Sequence, residues 1–183
     1  MFAPITALVG LTCSGLVAGI TASYPLIINT HFIDPQGTKI SPAALHVNLS
    51  IPQRLTLWER AFKGGFVVPL LAIVSAATLT TFALRHNPSS SPSAKRLDGD
   101  WETRKKLILG SAALTGSLVL FTLLAIKPTN TKLMALRVAA NNKEPVSEAL
   151  VEKLLKRWTQ LHNVRVGAAI VGFAVGLFSF IVV

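Results

Sequence analysis

Residues 158–183 read WTQLHNVRVGAAIVGFAVGLFSFIVV, and the fold class can be worked out from this stretch. Its last 18 residues, 166–183, contain no Asp, Glu, Lys or Arg. A transmembrane helix needs about 20 apolar residues, so this segment is nearly long enough to cross a bilayer. Just before it, Trp158, His162 and Arg165 fall within about 60° of one another on a helix. An aromatic ring, an imidazole and a guanidinium therefore share one face where a helix enters a membrane.

Three other segments share this lack of charge. Residues 1–33, 64–84 and 107–126 also contain no Asp, Glu, Lys or Arg. Over the whole chain 51% of the residues are hydrophobic and 14% are charged, against about 25% charged in soluble domains. We therefore predict an all-α fold, a transmembrane four-helix bundle that forms a single domain over residues 1–183. The predicted spans are residues 3–28, 64–84, 107–126 and 166–183.

Local signals place the helix ends and the connections. Ser50 and Pro52 are typical of a helix start, so the second helix begins before its uncharged part, and Pro69 predicts a kink within it. Residues 86–100 are rich in Ser and Pro and predict a flexible linker. Apolar residues repeat at helical spacing over residues 146–182, which predicts one long helix. Helices 2 and 4 are thus expected to extend beyond the membrane.

Small residues recur at every fourth position in the first and last spans. Such spacing lets helix backbones approach closely in lipid, so both helices are expected to pack against neighbours. The residues concerned are Gly10, Ser14, Ala18 and Ala22, with Gly15 and Gly19 beside them, and Ala168, Gly172 and Gly176.

The basic residues that give the chain its net charge of +10 lie in the connections between spans. Membrane proteins commonly carry them there, so the charge does not indicate a nucleic-acid partner, and we expect none. The first and third connections hold twelve Lys and Arg and the second holds six. By the positive-inside rule the first and third connections are predicted to be cytosolic. Glycosylation of Asn48, in the sequon Asn48-Leu49-Ser50, would reverse that orientation.

Two further observations limit the function classes. The single cysteine, Cys13, excludes an internal disulfide and a Cys-x-x-Cys redox pair. A cleaved signal peptide is an alternative for the first segment, because Ile20-Thr21-Ala22 resembles a cleavage site. No Lys or Arg precedes the apolar run, however, which favours a retained span.

The polar and aromatic residues of interest collect on the side of the first and third connections. His162 is the leading candidate, because membrane anchoring does not require a histidine and imidazole accepts a proton near neutral pH. Arg165 also fits a side chain that snorkels to the interface. The third connection is expected to begin at Lys127, and Asn130 within it also fits a helix terminator.

The other candidates have plain structural alternatives as well. Trp58 and Trp158 fit the tryptophan belt at a membrane–water interface. His31 fits a cap at the end of the first span. His31, His46 and His162 lack the close spacing of a helical metal pair, and no carboxylate shares the face of His162, so we predict no metal site.

Three motifs together carry a family resemblance. Lys127-Pro128-Thr129-Asn130-x2-Leu133 is followed by Trp158-x3-His162-x2-Arg165 at the head of the last span. The segment Trp58-x2-Ala61-Phe62-x-Gly64 and the small-residue first span also fit. In these features the chain resembles the fungal anthrone oxygenases, whose wider superfamily consists of small four-span membrane proteins.

The resemblance implies a reaction and roles for the candidate residues. It implies oxidation of a polycyclic anthrone-type polyketide to a quinone by O2, without a metal or organic cofactor, in the endoplasmic reticulum or another endomembrane. His162 would be the base, and Arg165 and Asn130 would stabilise negative charge on the ketone oxygen. Trp58 and Trp158 would stack on the flat substrate, which His31 would also contact.

Two interpretations from other classes stay open at this point. The same fold with the same histidine as acid or base would suit a cyclase or isomerase acting on another lipophilic substrate. A non-catalytic membrane protein would use the Trp158, His162 and Arg165 face to bind a partner or a lipid headgroup. Oxygen consumption with an anthrone separates the oxygenase from both.

Overall fold

The computed structural model describes residues 3–28, 49–86 and 101–181, and this part of the chain is almost entirely helical, with no strand. Four stretches of helix are long and apolar enough to cross a membrane. The predicted all-α fold with four spanning helices is therefore confirmed. The helices are α1 (Ala3–Ser23, continued by a π-helical turn, Tyr24–Ile28), α2 (Ile51–Gly64), α3 (Val67–Arg85), α4 (Trp101–Phe121, continued by a π-helical turn, Thr122–Ile126), α5 (Lys127–Asn141) and α6 (Glu148–Ile181).

The second span begins as predicted but is interrupted at a different place. Ser50 is the N-cap of α2, where the Gln53 side chain accepts the Ser50 N–H at 2.9 Å, and Pro52 lies in the first turn. The interruption is a turn at residues 65–66, one helical turn before Pro69, and the kink at Pro69 itself stays a prediction. Pro69 is the third residue of α3, and the first N–H groups of a helix have no intrahelical acceptor in any case. The missing donor therefore costs nothing there.

The helix of the third span does not end at Lys127, where the sequence predicted that a connection begins. The chain stays helical through the π-helical turn and α5 to Asn141. Pro128 removes the N–H that an α-helix would direct to the carbonyl of Leu124, and the π-helical turn lies at this point. Asn130 is consequently an internal residue of α5, so the helix-terminator interpretation was also wrong. The long last helix is confirmed as α6.

The chain divides into two compact units. The first consists of Met1–Gly19, Val68–Leu120 and Gly167–Val183. Within it, buried hydroxyls donate to backbone carbonyls of other helices: Ser75 to Gly10 at 2.8 Å and Ser111 to Gly172 at 2.7 Å. A Cβ added to Gly176 would lie 2.7 Å from the Ser111 hydroxyl. The small residues of the first and last spans thus permit the close helix packing that their spacing predicted.

Gly10 offers a direct test of this packing. A Cβ at Gly10 would lie 2.7 Å from Cγ of Leu79, whereas a Cβ at Gly19 of the same helix would meet nothing within 4 Å. Overpacking typically costs about 1–3 kcal/mol. We expect Gly10→Ala to lower the thermal unfolding temperature of the detergent-solubilised protein, while the matched control Gly19→Ala leaves it unchanged or slightly raised. Equal unfolding temperatures for the two variants would contradict the close approach.

The second unit consists of Ile20–Val67 and Phe121–Val166. Its core is a cluster of apolar and aromatic side chains from the end of the first span, α2, α5 and the first half of α6. At its edge Glu59 of α2 pairs with Lys63 at 2.7 Å and with Arg137 of α5 at 3.2 Å. The second ion pair joins α2 to α5, the two helices that carry Trp58 and Asn130.

Some predictions concern residues outside the described ranges. They are the glycosylation site Asn48, the candidate His31 and the linker 86–100, of which only His86 is described. The single-domain organisation over residues 1–183 also stays a prediction.

Candidate functional site

The Trp158, His162 and Arg165 face of α6 lies inside the second unit. The three side chains are 2%, 0% and 8% exposed. They continue a buried face of the same helix that begins at Val151, two turns before Trp158, and includes Leu155. A belt tryptophan or a snorkelling arginine keeps its polar end at the interface, and neither description fits residues buried to this degree.

His162 and Arg165 form a buried hydrogen-bonded pair. Nη2 of Arg165 lies 3.0 Å from Nδ1 of His162 and 3.3 Å from Nε2. A guanidinium has donors only, so the imidazole nitrogen that it contacts must act as the acceptor. In this arrangement the imidazole is neutral, with one nitrogen that carries a free electron pair directed at Arg165.

Arg165 is a buried guanidinium, and within residues 3–28, 49–86 and 101–181 no Asp or Glu side chain pairs with it. Among the described residues its only side-chain partner is His162, and its Nε has no hydrogen-bond partner. A buried charge is expensive unless it is paired. The guanidinium therefore remains available to a group that brings negative charge to it.

The two predicted tryptophans belong to one aromatic cluster around this pair. The Trp158 ring stacks on the His162 ring with centroids 4.9 Å apart and planes at 25°. Trp58 of α2 meets Trp158 edge-on at 6.4 Å and stacks on Phe62 at 5.5 Å. Trp58 is fully buried, and its indole Nε1 has no hydrogen-bond partner in the described part of the chain. The structure thus brings Trp58, Trp158, His162 and Arg165 into one continuous set of contacts.

Asn130 lies in the same unit but outside that set of contacts. It is an internal residue of α5 and is 8% exposed. Its Oδ1 accepts no hydrogen bond from any residue that the structure describes. Asn130 therefore brings a buried acceptor atom without a partner among the described residues, on a helix other than α6.

A comparison with protein-family models shows which family the chain matches. The model of the anthrone oxygenase family matches residues 58–175, well over half of the 183 residues. This chain belongs to the anthrone oxygenase family. The match begins at Trp58 and includes Asn130, Trp158, His162 and Arg165, whereas His31 lies outside it. Membership supports an oxygenase-like function, and the four apolar helices fit a small membrane protein.

Two other comparisons found nothing for this anthrone oxygenase family member: no curated protein and no solved structure matches the chain. Within residues 3–28, 49–86 and 101–181, no group of three or more His, Cys, Asp or Glu side chains is placed to hold a metal ion. The expectation that the protein uses no cofactor stays a prediction.

The sequence did not lead us to Tyr24, whose ring contacts the ring of His162 directly. The Tyr24 ring lies 4.5 Å from the His162 ring and 6.1 Å from the Trp158 ring, so the three rings meet pairwise. Its hydroxyl donates to the Ala61 carbonyl of α2 at 2.7 Å. The available signal was modest: Tyr24 is the only tyrosine of the chain and precedes a proline at the end of the first span.

Arg54 was also overlooked as a buried residue. It lies one turn before Trp58 on α2, is 2% exposed, and its Nη1 is 3.8 Å from the carboxylate of Glu152 on α6. The sequence reasoning had counted it only among the basic residues of a connection. Each of α2 and α6 thus carries one buried guanidinium in the second unit.

Proposed function

We propose that this member of the anthrone oxygenase family oxidises a polycyclic aromatic anthrone to a quinone, with O2 as co-substrate and no cofactor. The observation that supports it best is the buried pair of a neutral imidazole, His162, and a guanidinium, Arg165, that no acidic side chain of the described residues pairs with. This pair supplies what the first step needs: a group that takes a proton and a group that accepts negative charge.

The first step is removal of a proton from the benzylic CH2 of the anthrone. His162 takes this proton, and the negative charge moves through the ring to the ketone oxygen, where Arg165 stabilises it. The benzylic carbon and the ketone oxygen lie at opposite ends of the central ring. Binding must therefore separate the guanidinium from the imidazole, and this separation also frees the imidazole electron pair for the proton.

The later steps need no external reductant. The enolate passes an electron to O2, and the resulting superoxide and carbon radical combine to a peroxide at the benzylic carbon. Loss of the second benzylic proton breaks the O–O bond, forms the new carbonyl and releases the outer oxygen as water. Each anthrone thus consumes one O2, and all four electrons come from the anthrone itself.

The remaining candidates are assigned to binding and to charge stabilisation. Trp58 and Trp158 stack on the flat substrate, and His31 contacts it. Both indoles are covered by neighbouring rings in the described structure, so the substrate must replace one of these ring contacts. Asn130, with its buried amide, is the second partner for the ketone oxygen.

The membrane location suits an apolar aromatic substrate, because the bilayer concentrates it. We assign the protein to the endoplasmic reticulum or another endomembrane, with the first and third connections in the cytosol, as part of the biosynthesis of a polyketide secondary metabolite. The charge distribution over the connections supports this orientation.

Isotope labelling tests the reaction on the purified protein in lipid nanodiscs. With a hydroxylated anthrone and ¹⁸O2, we expect faster quinone formation than in protein-free buffer, one O2 consumed per quinone, and one labelled oxygen atom in the product. Quinone formation at the protein-free rate would contradict the proposal. A product that forms without O2 uptake would also contradict it. That result would indicate that His162 acts as the acid or base of a cyclase or isomerase.

A further inference from the structure

Side chains from two different helices contact His162. Arg165 and Trp158 lie three and four residues away from it on α6, so they move together with His162 when that helix moves. Tyr24 comes from the end of the first span, and its ring centroid lies 4.5 Å from that of the imidazole. The contact with Tyr24 therefore fixes where the imidazole lies relative to elements other than its own helix.

The rings of Tyr24, Trp158 and His162 are packed closely in the core of the second unit. The Tyr24 and Trp158 centroids are 6.1 Å apart, and the His162 centroid lies 4.9 Å from that of Trp158. All three side chains belong to the buried residues of the unit. Because protein interiors are close-packed, a displacement of the Tyr24 ring also displaces the imidazole.

The Tyr24 hydroxyl is held by the last turn of α2. It donates to the Ala61 carbonyl at 2.7 Å, and the same carbonyl accepts the Gly65 N–H at 3.1 Å. A carbonyl oxygen has two lone pairs, so both hydrogen bonds can form together. Trp58 lies three residues before Ala61 on α2. Tyr24 thus connects His162 to the helix that carries a proposed substrate-binding tryptophan.

Gly65 leaves the room that this hydroxyl needs. A Cβ at Gly65 would lie 2.5 Å from the Tyr24 hydroxyl oxygen, whereas a Cβ at the neighbouring Gly64 would meet nothing within 4 Å. The φ angle of Gly65 is −78°, which other residues also adopt. An alanine at position 65 would therefore suit the backbone but would push the Tyr24 hydroxyl away from its place.

We propose that Tyr24 is a positioning residue for the oxygenase reaction: anchored to α2 through its hydroxyl, its ring fixes the His162 imidazole relative to Trp58. This inference rests on the proposed role of His162 as the base. A base must lie within hydrogen-bond reach of the proton that it takes, so a small misplacement of the imidazole lowers the rate. Tyr24 lies outside residues 58–175, the part of the chain that the family model matches.

Kinetics of the full-length protein in nanodiscs tests the anchor. Tyr24→Phe keeps the ring and removes the hydroxyl, and Gly65→Ala displaces the hydroxyl. We expect kcat with the anthrone to fall about 10-fold in each, with little change in KM, since a hydrogen bond of ordinary strength is lost. In the variant that combines both changes, the new methyl group has no hydroxyl to displace, so kcat should fall no further than in Tyr24→Phe. Gly64→Ala is the matched control and should keep the wild-type kcat.

Histidine NMR separates positioning from a purely structural role. With ¹³C- and ¹⁵N-labelled histidine, the His162 ring signals are identified by their loss in His162→Gln. Neighbouring aromatic rings shift these signals, so we expect them to move in Tyr24→Phe and in Gly65→Ala and to stay in place in Gly64→Ala. Gly65→Ala alone still gives this comparison with Gly64→Ala if Tyr24→Phe fails to fold.

Two results would overturn the inference. One is a set of His162 signals that stays unchanged in Gly65→Ala, even if its unfolding temperature falls, because Tyr24 would then only stabilise the fold. The other is a pair of effects on kcat that multiply in the combined variant, because Gly65→Ala would then act without the Tyr24 hydroxyl. The NMR result does not depend on turnover, so a failure of the proposed oxidation would be seen separately.

Discussion

Replacing His162 with Gln should lower the rate of quinone formation by about 10²–10⁴-fold, the usual contribution of a positioned general base. Gln has nearly the volume of His and can still accept a hydrogen bond from Arg165, but its amide does not take up a proton. The packing of Tyr24 and Trp158 around this position should therefore largely survive. The rate is measured as O2 uptake and quinone absorbance with a hydroxylated anthrone.

His86→Gln is the matched control for that variant. His86 lies in the first unit, stacked on Phe82 at 5.0 Å and edge-on to Trp101 at 4.9 Å, and has no part in the proposed chemistry. We expect its rate to equal that of the wild type. Full activity in His162→Gln, with normal membrane insertion, would exclude His162 as the base.

Replacing Arg165 with Met should lower kcat by about 10²–10³-fold, the typical effect of removing one donor from an oxyanion site. Met fills much of the same space without a donor or a charge. The ground-state ketone needs the guanidinium less than the enolate does, so KM should change less than kcat. Steady-state kinetics with varied anthrone concentration separates the two parameters.

Arg157→Met is the matched control, because Arg157 lies on the same helix but is exposed. It should retain wild-type kinetics. Arg165→Lys should recover part of the lost rate, since it restores a positive charge but not the geometry of the guanidinium. An Arg165→Met variant with a raised KM and an unchanged kcat would show that Arg165 binds the substrate without stabilising the enolate.

The fold was largely predictable because the absence of charge is a property of composition. Four uncharged segments indicate four spans whatever their packing, and the repeat of apolar residues before Val166 predicted the long α6. The continued helix at Lys127 and the interruption one turn before Pro69 have a common cause. A proline marks a position that lacks a donor, but only the surrounding structure decides whether the helix ends, continues after a π-helical turn or restarts beside it.

The site was predictable only where its residues share one element. Trp158, His162 and Arg165 could be placed on one face because helical periodicity fixes their relative directions. The contact of Tyr24 with His162 depends on how two distant segments pack, which no local pattern contains. The burial of Trp58 has the same origin: a tryptophan near the end of a span suits an interface equally well until its neighbours are known.

Deuterium exchange without O2 tests the central claim most directly, because it isolates the proposed proton removal from the oxidation. The benzylic CH2 of a hydroxylated anthrone is followed by NMR in D2O under anaerobic conditions, with wild type and with His162→Gln. The account predicts that the wild type exchanges these protons faster than buffer alone and that His162→Gln does not. Equal exchange by the two proteins, while the wild type alone forms quinone in air, would contradict it.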